Sequence, residues 1–276
     1  MDELVIRAQA GDKMAVSALL DMIRERVYQM ALRMLGYPSD AEDAVQEILI
    51  RILTRLSTFR GHSSFNTWAY RIAVNHLLNI RRKRADHLDI SFQSWEGLIY
   101  GEKGDVDLAK WDGVEQKILV NEVRTGCLQG LLLCLEKKTR IAFLLGDVFE
   151  FSSREGARIL GITPETFRKR VSRGRERIRD FMIKNCGLFS DKNPCKCREQ
   201  AERDIHMGII DPDRLDFTDK KKIRQKSLDM SKVLAELDDM EKMITLFRTY
   251  PRFSSPESSA DLISTLIASG RFRLFE

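Results

Sequence analysis

The sequence predicts an all-α chain: two small helical domains joined by a flexible linker, followed by a helical C-terminal extension. Three observations predict it. Apolar residues recur at three- and four-residue spacing over long stretches before and after residues 86–114. The stretch from Ser152 to Lys184 carries paired helix start and stop signals. Between Ala85 and about Val114 the periodicity fails, and Asp, Gly, Ser and Glu dominate, as in a linker. The expected boundaries are therefore 1–85, a linker at 86–114, a second domain at 115–184 and an extension at 185–276.

Taken in order, residues 1–35 read as helical with a break at Gly11-Asp12. Leu19, Leu20, Ile23, Val27, Met30, Ala31 and Met34 make the apolar stripe of the longer piece. Gly36-Tyr37-Pro38 ends it. Ser39 with Glu42 predicts a capping box for the next helix, whose acidic start (Asp40, Glu42, Asp43) suits the positive end of a helix dipole. That helix carries Ala44, Val45, Ile48, Ile52 and Leu56 on one stripe. A loop from Phe59 to Phe65 follows, and then a helix from Phe65 that ends in Arg81-Arg82-Lys83-Arg84. It mixes Trp68, Tyr70, Asn75 and Asn79 with cations; amides can bond base edges, aromatics can stack on bases and cations hold phosphate. Trp68 is expected in the core, and His62 and His76 as plain surface residues.

Helical patterning returns near Glu115 and runs through an apolar stretch that holds Cys127 and Cys134, which read as core thiols. Ser152 with Glu155 is a second capping-box pattern, Gly161 a left-handed stop, and Thr163-Pro164 an N-cap and first-turn proline. Phe167, Val171, Gly174 and Ile178 fall on one stripe of the following helix. Glu165, Lys169, Ser172 and Arg173 point roughly the other way. Two helices across a glycine turn, the second rich in outward cations, match a helix-turn-helix whose second helix enters a DNA major groove. The density of Arg168, Lys169, Arg170, Arg173, Arg175, Arg177 and Arg179 favours a phosphate partner over a merely solvated face.

Bulk properties exclude more than they assign. At 276 residues the chain holds two small domains and an extension, and a net charge of only +5 makes local basic clusters more informative than the total. No run is long and apolar enough to insert in a membrane, and the first residues lack a signal-peptide pattern. Five cysteines, three of them crowded together, speak against a disulfide framework and for a reducing, cytoplasmic setting. No phosphate-cradling glycine loop, Ser/His/Asp set or paired carboxylates emerge, so no catalytic residue is named and enzymatic activity is not expected.

With those residues in view, the chain resembles the extracytoplasmic-function group of bacterial RNA polymerase sigma factors. The run DAEDAVQEILIRILTRLSTFRGHSSFNTWAYRIAVNHLLNIRRKR resembles that family's region two, and RIAFLLGDVFEFSSREGARILGITPETFRKRVSRGRERI its region four. The resemblance covers about residues 1 to 184. It implies that Asp40, Glu42, Asp43, Gln46 and Glu47 face core RNA polymerase. It implies that Arg60, His62, Ser63, Ser64, Phe65, Arg71, Asn75, Asn79 and Arg82 engage the minus-ten element, where a flipped base is captured. Thr166, Arg168, Lys169, Ser172 and Arg173 would read the minus-thirty-five element. Core polymerase, promoter DNA and an anti-sigma protein are the implied partners. The chain departs from the family pattern in three places: Glu150-Phe151 stand where a glycine is usual before the helix-turn-helix, Gly156 replaces an aliphatic residue, and the proline usual after Leu135 is missing. The rival readings are a free-standing helix-turn-helix regulator and a metal- or redox-sensing DNA-binding protein.

The extension opens with Cys186, Cys195 and Cys197, with His206 further on. Three thiols and an imidazole suffice in type for zinc, though the Cys-x-Cys spacing is unorthodox; metal ligation, thiol redox chemistry and a plain loop stay open. No cofactor is required by the rest of the chain. A long helical stretch from Asp219 to Tyr250, with Leu228, Val233, Leu237, Met240, Ile244 and Phe247 as its stripe, needs a partner surface. A last helix is expected over Ser258–Ser269. The extension is expected to fold on the two domains and modulate their activity.

Overall fold

The computed structural model describes residues 2–80, 90–99, 106–218, 234, 236–249 and 263–265, and among these it is all-α. The helices are α1 (Asp2–Gln9), α2 (Lys13–Leu35), α3 (Pro38–Arg55), α4 (Phe65–Asn79), α5 (Phe92–Ile99), α6 (Gly113–Leu133), α7 (Lys137–Phe143), α8 (Ser153–Leu160), α9 (Pro164–Asn185), α10 (Cys197–His206) and α11 (Asp239–Thr249). Arg81 to Arg84, and with them Arg82, lie outside the described residues, as do Leu228, Val233 and most of the expected last helix.

Two compact units emerge. The first joins residues 1–82, 151–169 and 253–276; the second joins 83–150 and 170–252. In the first, α2 packs on α3 and α1, and α4 on α3 and α2. The expected stripes of α2 and α3 are all buried. Asp12 caps α2 by accepting from the Met14 and Ala15 amides at 3.0 and 3.1 Å. The expected Ser39 capping box does not form. Proline at position 38 fixes φ for the first helical residue, so α3 starts two residues earlier, from an extended Tyr37 with no side-chain cap. Phe59, Phe65 and Trp68 form an aromatic cluster with ring centroids 5.4–6.1 Å apart. The first helix of the predicted helix-turn-helix, α8, packs on α4, with Phe151 edge-on to Tyr70 at 5.4 Å.

In the second unit α6 is the spine. Its Asp112–Glu115 capping box starts it. The buried Arg140 guanidinium ends it, donating to the carbonyls of Leu132, Leu133 and Leu135 at 2.5, 2.8 and 2.7 Å. The expected linker is not featureless: it holds α5, whose Phe92, Trp95 and Ile99 fall at i, i+3 and i+7. Phe92 meets Phe181 with centroids 5.7 Å apart, and the Trp95 ring occupies the space where a Cβ at Gly130 would stand. Eight residues are too few for periodicity to register against a polar background.

The extension up to residue 252 belongs to this second unit. Leu119 and Val123 of α6 share a core with Leu108 and with Ala201 of α10. Buried Glu122 accepts from the Asp216 and Phe217 amides at 2.7 and 3.0 Å, which satisfies a carboxylate that burial alone would penalise. On α11 the buried face is Met243, Leu246 and Phe247, with Met240 and Ile244 on its flank. The stripe expected through Met240 and Ile244 is thus rotated, because Phe247 stacks edge-on against Phe143 at 5.4 Å and sets the helix's roll.

Candidate nucleic-acid interface

Helix α9 is shaped by what it buries. Phe167, Val171, Gly174 and Ile178 are buried as their spacing predicts, and Arg168, Lys169, Ser172 and Arg173 are exposed, with Thr166 half-buried beside the turn. The turn is made as the residues dictate. Ser152 and Glu155 complete a capping box, Gly161 takes φ +65°, and the Thr163 hydroxyl accepts from the Thr166 amide at 3.2 Å. Gly174 lets the helix approach the Phe143 side chain, whose Cβ would lie 3.2 Å from a Cβ added there.

Not every cation of α9 faces solvent. Arg175 makes a bidentate pair with the buried Asp147, which lies in a single π-turn at Leu144–Val148; that hydrogen-bonded carboxylate holds the guanidinium's pKa up. Arg179 pairs with Asp180 at 3.0 Å, and Lys169 with Glu165 at 2.7 Å on the exposed face. Arg175, held by a buried carboxylate, therefore leaves the set of cations that calls for a phosphate partner.

In the first unit, Ser64 caps α4 by accepting from the Thr67 amide at 3.2 Å, and Arg60, His62 and Ser64 are exposed on the preceding loop, with Ser63 half-buried. Arg71, Asn75 and Asn79 are exposed along α4. Phe65 is different. It is buried in the aromatic cluster, so its ring anchors the loop instead of facing a base. His76 is not the plain surface residue expected: it is half-buried, and burial, then the charge of Arg51, push its pKa down against the opposing pull of Glu47 at 3.6 Å. On α3, Asp43 and Glu47 are exposed and Asp40, Glu42 and Gln46 half-buried; burial and then the neighbouring Asp43 raise the Glu42 pKa.

The family model for Sigma-70 region 2 matches residues 19–87, and that for Sigma-70, region 4 matches residues 125–178. The chain is 34% identical over 176 residues to the ECF RNA polymerase sigma factor SigW of Bacillus subtilis (strain 168), covering 63% of this chain and 91% of SigW. The chain belongs to the ECF RNA polymerase sigma factors. It is also 32% identical over 179 residues to the ECF RNA polymerase sigma-E factor of Escherichia coli (strain K12), covering 63% of this chain and 90% of that protein. A solved structure of CnrH in complex with the cytosolic domain of CnrY aligns with 21% identity and a TM-score of 0.45, over 65% of this chain and 94% of that one.

Two departures of this sigma factor from its family pattern now have physical reasons. Glu150 takes φ +59°, the left-handed conformation that a glycine would adopt without strain, and its carboxylate meets Arg248 at 2.9 Å. Gly156 makes room for Phe167, whose ring carbon would lie 2.3 Å from a Cβ at position 156. Among the described residues no helix is long and apolar enough to cross a membrane.

Of the expected metal set, the structure sets Cys186 beside Cys195, with Cys197 two residues on, but among the described residues no group of three or more His, Cys, Asp or Glu is arranged to hold a metal ion. Cys186 and Cys195 face each other across an isolated parallel bridge. His206 is not brought to them: it is exposed at the end of α10, nine residues from Cys197 and so roughly 13 Å along the axis. Sequence reasoning missed Cys127. It was expected as a core thiol of α6, yet its sulfur shares the neighbourhood of the other three and takes a hydrogen bond from Trp95.

Proposed function

We propose that this sigma factor binds core RNA polymerase and directs promoter recognition and transcription initiation, and that its extension modulates that activity. Residues 1–85 act as region two, 86–114 as the connector, 115–184 as region four and 185–276 as the modulating extension. Asp40, Glu42, Asp43, Gln46 and Glu47 dock on the polymerase. Arg60, His62, Ser63, Ser64, Arg71, Asn75, Asn79 and Arg82 engage the minus-ten element, where extruding a base costs a few kcal/mol that contacts to the extruded base and backbone offset. Thr166, Arg168, Lys169, Ser172 and Arg173 read the minus-thirty-five element. The polymerase supplies the chemistry, in the cytoplasm, and the subunit supplies the address. An anti-sigma protein covering the same surfaces is the expected negative partner.

The observation that carries the reading is α9, which buries its apolar stripe and leaves Arg168, Lys169, Ser172 and Arg173 exposed within a region-four match. The test is polymerase binding and promoter footprinting in parallel. Arg173→Ala should weaken protection of the upstream element and flatten the salt dependence by about one unit of slope if it holds a phosphate. Asn79→Ala should spare polymerase binding and reduce strand opening. A chain that ignores core polymerase yet binds a palindromic site as a dimer would instead be a free-standing regulator.

A further inference from the structure

The thiols of Cys127, Cys186, Cys195 and Cys197 come from three separate pieces of the second unit: α6, the end of α9 and the start of α10. They are near enough that Cys127 feels the charge of each of the other three. The frame that holds them is well defined. The Gly187 amide donates to the Cys195 carbonyl at 2.9 Å and the Cys195 amide to the Asn185 carbonyl at 3.1 Å, which sets Cys186 and Cys195 side by side. A Cβ at position 187 would come within 2.6 Å of that carbonyl, so the close pairing needs a glycine. The Asn193 side-chain amide ties the loop further, donating to the carbonyls of Ile183 and Cys186 at 2.8 and 2.9 Å.

N–H donors are aimed at the sulfurs. The Leu188 and Phe189 amides lie beside the Cys186 sulfur and Trp95 beside that of Cys127, each favouring the thiolate, while the Phe189 amide also donates to the Cys186 carbonyl at 3.0 Å. Sulfurs gathered in one buried place can give up their protons together only with a cation among them. We propose that Cys127, Cys186, Cys195 and Cys197 bind a single zinc-class cation that clamps the extension to α6 of region four. Four thiolates suit a closed, structural site for a soft tetrahedral ion. Each thiol gives up its proton on binding.

The cysteines are free, and among the described residues no group of three or more His, Cys, Asp or Glu is already arranged to hold an ion, so binding on this proposal must draw the thiols together. A coordinated cation deprotonates a thiol outright.

The test uses the full chain, reduced, stripped with a chelator and titrated with cobalt(II) and then zinc. The expected result is one equivalent bound, with intense cobalt–thiolate absorption that zinc displaces. Cys127→Ser and Cys195→Ser should each abolish that absorption, while Cys134→Ser and His206→Ala keep it. Alkylation of the parent chain supplies a readout that needs no variant: metal should protect Cys127, Cys186, Cys195 and Cys197 together and leave Cys134 labelling unchanged. Absence of stoichiometric binding would overturn the proposal. So would protection that omits Cys127, or a disulfide between Cys186 and Cys195 that forms readily in place of metal binding. None of these readouts depends on polymerase or promoter.

Discussion

Gly156 and Glu150 look like two defects in one motif, and the physics of each is opposite. Gly156 is required, because Phe167 fills the space of the missing Cβ. Gly156→Ala should therefore destabilise the fold by about 1–3 kcal/mol despite alanine's better helix propensity, as thermal melting would show. Glu150 is strained, so Glu150→Gly should stabilise by about 1 kcal/mol even though it gives up an exposed pair with Arg248. His76 adds a pH dependence of known sign. Its pKa lies below 6.5 in the fold, so the unfolded chain protonates first. Stability should fall as pH drops below about 6.5, and His76→Gln should flatten that part of the melting-temperature profile. These outcomes show what single residues hide. The sequence announces a glycine, but the ring that demands it is eleven residues away, and Phe65 looks like a loop aromatic until Phe59 and Trp68 close on it.

The helices themselves were largely legible, and for local reasons. Capping at Ser152, the left-handed Gly161 and the proline at position 164 act within a few residues, so their signals survive any tertiary context. The stripes of α2, α3 and α9 are long enough for helical period to dominate. What was not legible depends on partners distant in the chain. Arg140 reads as one more basic residue, yet it ends α6 by holding three carbonyls from a buried position. Arg140→Met should leave those acceptors unpaired and cost roughly 3 kcal/mol or more, measured by denaturant unfolding of the full chain. The roll of α11 likewise follows from Phe143, and nothing in its own sequence announces that ring.

At the scale of the whole molecule, an extension that begins in sequence as an appendage is, up to residue 252, structurally part of the second unit. Its Ala201 lies in the same core as Leu119 and Val123, and Arg248 donates to the Asp147 carbonyl at 2.6 Å. A chain ending at Lys184 should therefore lose cooperative unfolding of the second unit, because Leu119 and Val123 lose their cover and Glu122 its donors. The region-two and region-four stretches and their order along the chain were legible because each is a local pattern. The fourth thiol, Cys127, was not, since only the packing of α6 against the loop at 186–197 brings it to the others. Run-off transcription with core polymerase on candidate ECF promoters asks whether this chain is a working sigma factor. The expected transcripts need the full chain, start at a fixed distance from the promoter elements and fall sharply with Arg173→Ala combined with Asn79→Ala. Transcription no greater than that of core polymerase alone, on every promoter tried and with a folded full chain that fails to bind the enzyme, would contradict it.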